Sequence, residues 1–234
     1  MHVGRSNLIL LVALVLPKLA AGQVPPPSIQ VSAEAVVAVK PDQALIQVGV
    51  VTQSATAQAA TAENAQRVDA TITAIRNVLG NGGEIKTVGY SVRPVYRYPK
   101  EGGTPAITGY TASNVVQITM NDLAGVGRVI DTATASGANT IQQLQFTLKD
   151  DQAVQLRALN EAATKAKAKA QAMAAALGLK MVRVLRAEEQ GGVVRPQSER
   201  LYMMAGAATA PQTTVEPGTV EVHATVTLTV EVGQ

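Results

Sequence analysis

Between residues 107 and 148 the apolar positions alternate, change period, and alternate again. From Tyr110 to Met120 one parity carries Tyr110, Ala112, Val116, Ile118 and Met120, while the other carries Thr111, Ser113, Gln117 and Thr119. That alternation predicts a half-buried strand. Asn121 and Asp122 can then cap a helix along which Leu123, Val126, Ile130 and Ala133 recur at three- and four-residue spacing. Gly137 offers its stop. Leu144, Phe146 and Leu148 alternate with Gln143, Gln145 and Thr147, which returns the chain to a strand with one wet face.

The same reading extends over the rest of the chain. Ile29 to Val39 alternates, and after Pro41 and Asp42 the set Ala44, Ile46, Val48 and Val50 continues the pattern, so the two runs are expected to form a hairpin turning at Lys40 to Gln43. Ala65, Val68, Ile72, Ile75 and Leu79 mark the stripe of a first long helix that ends at Gly80 to Gly83. Glu84 to Val95 reads as a strand, and Tyr96 to Ala106 as a turn-rich connection.

Asp150 or Asp151 opens a third helix with the narrow row Val154, Ala158, Ala162, Ala166, Ala170, Met173 and Leu177. Its length is roughly 40 Å at about 1.5 Å per residue. Met181 to Ala187 is another strand. The segment 188–217 is rich in Gly, Pro, Ala and Met and is expected to be flexible or used between subunits. From Val220 to Val232 every second residue is apolar, the clearest strand of the chain. The fold class expected is α+β: about seven strands in one or more sheets, three helices packed on one face, and a strand–helix–strand pattern in both halves that suggests a duplicated unit.

Composition narrows the setting. Residues 1–22 combine Arg5, an apolar run from Leu8 to Leu16, and the small residues Ala20, Ala21 and Gly22, the pattern of a cleaved secretory signal peptide. The run falls short of the ~20 residues that span a bilayer, so no stable membrane span is expected after cleavage. A Pro-rich tether, 23–28, leads into a domain at 29–234. The chain of 234 residues has 20 Lys and Arg against 17 Asp and Glu. Arg5 and Lys18 fall in the leader, so the remainder is nearly neutral and shows no phosphate-seeking charge. With no Trp and one Phe it has few stacking platforms, which argues against nucleic acid as a partner. With no Cys it can form neither disulfides nor a thiol nucleophile nor a lipidated cysteine anchor.

Candidate chemistry is sparse, and no catalytic, cofactor-binding or metal-ligating residue is assigned. His223, on the polar parity of the last strand, is the one histidine beyond the leader, and no Gly-x-Ser-x-Gly elbow accompanies it; it reads as a solvated strand residue. Asp150 with Asp151 suits a helix start, and Glu188 with Glu189 a solvated segment. Gly125 and Gly127 lie within a helix, not in a phosphate-binding turn. Lys165, Lys167 and Lys169 spread around a helix and read as a solvated face. Arg93, Tyr96, Arg97 and Tyr98, with Tyr110 beyond them, form the candidate recognition patch; Met203 and Met204 are candidates for subunit contact or oxidation.

Three stretches carry a resemblance: ITGYTASNVVQITMNDL at Ile107 to Leu123, KAKAQAMAAALGL at Lys167 to Leu179, and VEPGTVEVHATVTLTVEV at Val215 to Val232. In these the chain is similar to the SIMPL-domain family, whose bacterial members include periplasmic immunogenic and oxidative-stress-defence proteins. Lys40-Pro41-Asp42 and Gly137-Ala138-Asn139 add supporting matches. The resemblance implies an exported periplasmic protein that assembles into a homo-oligomer, such as a large ring, and protects cells under oxidative stress. It brings no catalytic residue and no cofactor. The leading expectation is therefore a non-enzymatic, self-assembling periplasmic protein. The rival is a module that binds a ligand, peptide or envelope protein through the region from Tyr96 to Tyr110, and a hydrolase built on His223 comes last.

Overall fold

The computed structural model describes residues 25–99, 103–196 and 213–234. Its strands are β1 (Ser28–Val39), β2 (Gln43–Ser54), β3 (Gly83–Arg97), β4 (Ala106–Met120), β5 (Thr140–Thr147), β6 (Lys180–Pro196) and β7 (Val220–Gly233). Its helices are α1 (Ala57–Leu79), α2 (Val126–Ala135) and α3 (Gln152–Ala176), with a 3-10 turn at Leu123–Gly125 ahead of α2. This is the α+β architecture expected, in the expected order. The strands form two antiparallel sheets, one of three strands in the order β1-β7-β6 and one of four in the order β3-β4-β2-β5.

Each sheet buries one face. In the three-stranded sheet Ile29, Val31, Ala35 and Val37 of β1 and the even-numbered residues of β7 pack on α3. The helix meets them with Ala158, Ala162, Ala166, Ala170 and Ala174, all buried. Methyl side chains at every fourth position let the helix axis approach the sheet closely. The row continues at Ala174, whereas Met173 and Leu177 are exposed. In the four-stranded sheet Ala44, Ile46, Val48 and Val50 of β2 and Val116, Ile118 and Met120 of β4 pack against Val68 and Ile75 of α1 and Val126, Val129, Ile130 and Ala133 of α2.

The helix ends follow local chemistry. Thr56 Oγ1 accepts from Ala59 N at the start of α1, and Gly80 closes that helix at φ 55. Asp122 accepts from Gly125 N before α2, and Asp150 Oδ1 from Gln152 N at the start of α3. Along α1 the buried row is Ala60, Asn64, Val68, Thr71 and Ile75. Two polar residues thus hold positions that a purely apolar stripe would have passed over, and Ala65 is exposed.

The expected β1–β2 hairpin does not form. β1 pairs with β7, and β2 pairs with β4 and β5. Residues 40–42 instead carry the chain from one sheet to the other. Asp42 N donates to Thr147 O, and Asp42 Oδ1 accepts from Lys149 N, which fixes this crossing at the end of β5. Alternation states which face a strand buries but not which strand lies beside it, so a sequence neighbour was the wrong partner.

Two boundaries also move. Ser28 already belongs to β1, and Pro27 O accepts from Val232 N, so the end of the tether is held in the ladder. β6 runs on past Ala187 to Pro196, paired with β7, because β7 offers backbone partners as far as Val220. The expected leader and residues Met203 and Met204 lie outside the described residues.

Candidate functional site

The surfaces left over by this packing are the sheet faces turned away from the helices and the outer edges of β1, β3, β5 and β6. On the four-stranded sheet the register aligns Arg93 with Thr111, Ser91 with Ser113, and Gly89 with Val115 across β3 and β4. Partners in such a pair face the same side, and this is the side opposite the α1 and α2 core. Gly49 of β2 continues the last row, so two glycines flank Val115. Beside Val115, on the Gly89 side, lies a trough of about 450 Å³, bounded by Gly89, Ser91, Arg93, Thr111, Ser113 and Gln142 among others.

The recognition patch expected from sequence is divided. Arg93 lies in β3 within the expected strand, Tyr96 and Arg97 belong to β3 rather than to the connection after it, and Tyr110 belongs to β4. Because Arg93 pairs with Thr111 while Pro94 pairs with Tyr110, Arg93 and Tyr110 take opposite faces of the sheet. Tyr96 and Tyr98 stand at the far end of the β3–β4 hairpin, 47% and 72% exposed. The sequence reading had no means of finding Ser91, Ser113 and Gln142, since only the cross-strand register brings them to Arg93.

His223 is not a solvated residue. Its ring is 19% exposed, with Nδ1 2.8 Å from Glu34 Oε1 and Nε2 3.3 Å from Glu221 Oε2. The two ring nitrogens point apart, so the carboxylates lie on opposite sides of the imidazole and do not converge. Among the described residues no group of three or more His, Asp or Glu side chains is placed to hold a metal ion. Glu188 is paired with Arg186 on β6, and Asp151 accepts from Gln155 Nε2, so these carboxylates have structural partners.

Two of the three clustered lysines also have definite positions. Lys169 Nζ donates to Ser32 O at 3.0 Å and Lys165 Nζ to Glu34 O at 3.4 Å. Pro27, an odd-numbered residue, bonds toward β7, so Ser32 and Glu34 present their carbonyls to the outer edge of β1. The lysines therefore cover that edge. Among the described residues the β6 edge carries no such cover: Val182, Val184 and Leu185 are exposed, and Met173 and Leu177 of the α3 end are exposed as well.

Gly127 of α2 and Asp131 one turn later receive the segment that leads into β7. Asp131 accepts from Thr213 N and from Thr213 Oγ1, at 3.1 and 2.6 Å. A Cβ on Gly127 would come within 2.0 Å of Thr213 O, so this contact requires glycine. No helix among the described residues is long and apolar enough to cross a membrane.

Comparison with known proteins places this arrangement. Two curated relatives, each named 26 kDa periplasmic immunogenic protein, come from Brucella melitensis biotype 1 and Brucella abortus. Each is 27% identical over 167 residues, covering 70% of this chain and 67% of the relative. A family model described as "Protein of unknown function (DUF541)", the SIMPL family, matches residues 29–230, from the second residue of β1 to Val230 near the end of β7. Since that match takes in both sheets and all three helices, the chain belongs to the SIMPL family.

Proposed function

We propose that this chain is a non-enzymatic periplasmic protein that assembles with copies of itself and helps the cell envelope withstand oxidative stress. The observation that carries the assembly is the β6 edge. Val182, Val184 and Leu185 are exposed there beside Leu177 and Met173, an apolar margin along backbone that is unpaired among the described residues. Such an edge is a template for another chain. The periplasmic setting draws on the names of the relatives and on the leader-like residues 1–22. The stress role draws on resemblance to oxidative-stress-defence proteins. With no cysteine in the sequence, protection by this chain does not run through thiol chemistry.

Light scattering on the chain from Gln23 onward, across a concentration series, tests the assembly. The expected outcome is a discrete mass of two chains or more, lost when Val182 and Val184 are both changed to Glu. A monomer at every concentration overturns it. For the stress role, deletion of the gene is expected to sensitise cells to peroxide, and unchanged survival counts against it.

A second reading, a module that binds a peptide or envelope protein, is favoured by the exposure of Tyr96 and Tyr98 at the hairpin end. It predicts that Tyr96→Ala and Arg97→Ala abolish partner binding while the fold persists.

A further inference from the structure

The trough on the open face of the four-stranded sheet has a definite chemical character. Its floor is Val115 beside Gly89. A Cβ on Gly49 would come within 2.2 Å of Thr140 Oγ1, so β5 crowds the Gly49 side of Val115 and closes it. A Cβ on Gly89 would stand 3.4 Å from Val115, an ordinary contact, so a side chain there would fit against the floor and take up part of the recess.

Around the floor stand the hydroxyls of Ser91, Thr111 and Ser113, the amide of Gln142 and the guanidinium of Arg93. None of these side chains has a hydrogen-bond partner among the described residues, and Arg93 has no carboxylate beside it. This contrasts with Arg67, Arg157, Arg183 and Arg186, each of which is paired with a Glu. An uncompensated cation over a recess is matched by one negative charge. Arginine in particular presents a planar fork that suits a carboxylate.

The remaining groups narrow the partner further. Three hydroxyls and an amide both donate and accept hydrogen bonds, whereas a free phosphate or sulfate at neutral pH mostly accepts. Their complement is a molecule with one carboxylate and several hydroxyls that also do both. At about 450 Å³ the recess lies within the range of small-ligand sites. The trough crosses the strands, so it suits a compact ring better than an extended peptide, which would lie along the β3 edge.

We infer that the trough bounded by Arg93, Ser91, Thr111, Ser113 and Gln142 binds a sugar acid, with the carboxylate on Arg93 and the ring hydroxyls on the others. This is independent of self-assembly and of the hairpin end.

Saturation-transfer NMR observes the ligand whatever the size of the protein, so it applies to monomer and assembly alike. Glucuronate, galacturonate and N-acetylmuramate at about 20 mM exceed a millimolar Kd severalfold and are the probes. The expected result is transfer to at least one of them, with glucose and inorganic phosphate giving far less. Arg93→Gln, an exposed polar exchange that leaves the core untouched, should weaken binding about tenfold. Gly89→Leu, which takes up part of the recess, should abolish it in a protein with unchanged circular dichroism. Arg76→Gln, exposed on α1 and outside the trough, should bind as the unaltered chain does.

Transfer to none of the three acids overturns the proposal. So does equal transfer to glucose, equal or stronger transfer to phosphate, or binding that survives Arg93→Gln undiminished. Loss of the signal in the assembled form alone would assign the trough to contact between copies and overturn it too.

Discussion

Asn64 shows how much a single polar side chain can hold. It is fully buried on α1, and its Nδ2 donates to Val50 O at 2.8 Å and to Ala112 O at 3.3 Å, so one amide joins the helix to two strands. Its Oδ1 has no partner among the described residues, which makes the donor half of the amide the part that matters. Asn64→Ala is expected to lower stability by about 1–3 kcal/mol, read from denaturant unfolding. Asn64→Asp makes a sharper case. Burial and the two facing carbonyls disfavour the ionised form, so the folded-state pKa of the new carboxyl rises above its unfolded value. Stability of that variant should then be greatest below pH ~4 and fall as pH rises. Unfolding midpoints at acid and neutral pH, compared with those of the unaltered chain, check the sign. Residues of this kind were illegible in the sequence because helical periodicity marks apolar stripes, and an Asn within the stripe reads as surface. His223 was misjudged for a related reason: Glu34, its nearer partner, lies 189 residues away.

Elements were legible where their own chemistry decides them. The order of strands and helices, the alanine row of α3 and the alternation of β7 all follow from periods that a short window contains. Pairing was legible only in part, because β1 and β2 carry equally good alternation and nothing nearby tells β1 to seek β7. The trough stayed hidden for the same reason: Ser91 and Ser113 become neighbours through register, not through spacing. The α3 row also makes a quantitative claim. Ala166 sits at 0% exposure midway along the helix, against a sheet that approaches to methyl distance. Ala166→Leu should therefore overpack the interface and cost about 1–3 kcal/mol. Ala168→Leu, on an exposed position of the same helix, should change stability by no more than about 0.5 kcal/mol. Thermal unfolding of the two variants separates packing from helix propensity.

Two sheets with four outer edges would make the proposed association a matter of which edge is free. Lys165 and Lys169 occupy carbonyls of β1, while among the described residues β6 has no such cover, so the proposed assembly would be blocked at one end of the three-stranded sheet and allowed at the other. Changing both lysines to Ala should turn a closed association into an open-ended one, seen as a mass that keeps rising with concentration in sedimentation. A discrete mass for that double variant would show that the lysines do not set the limit. The pairing of β1 with β7 has a different consequence, one of timing. The strand made first is completed only by the strand made last, so the three-stranded sheet cannot close until the whole chain is available. Until then β1 has no strand beside it, whereas the four-stranded sheet, made wholly from residues 43–147, already has every strand it pairs. The two sheets therefore become complete at different moments, the one that lies inside in sequence before the one that closes around it.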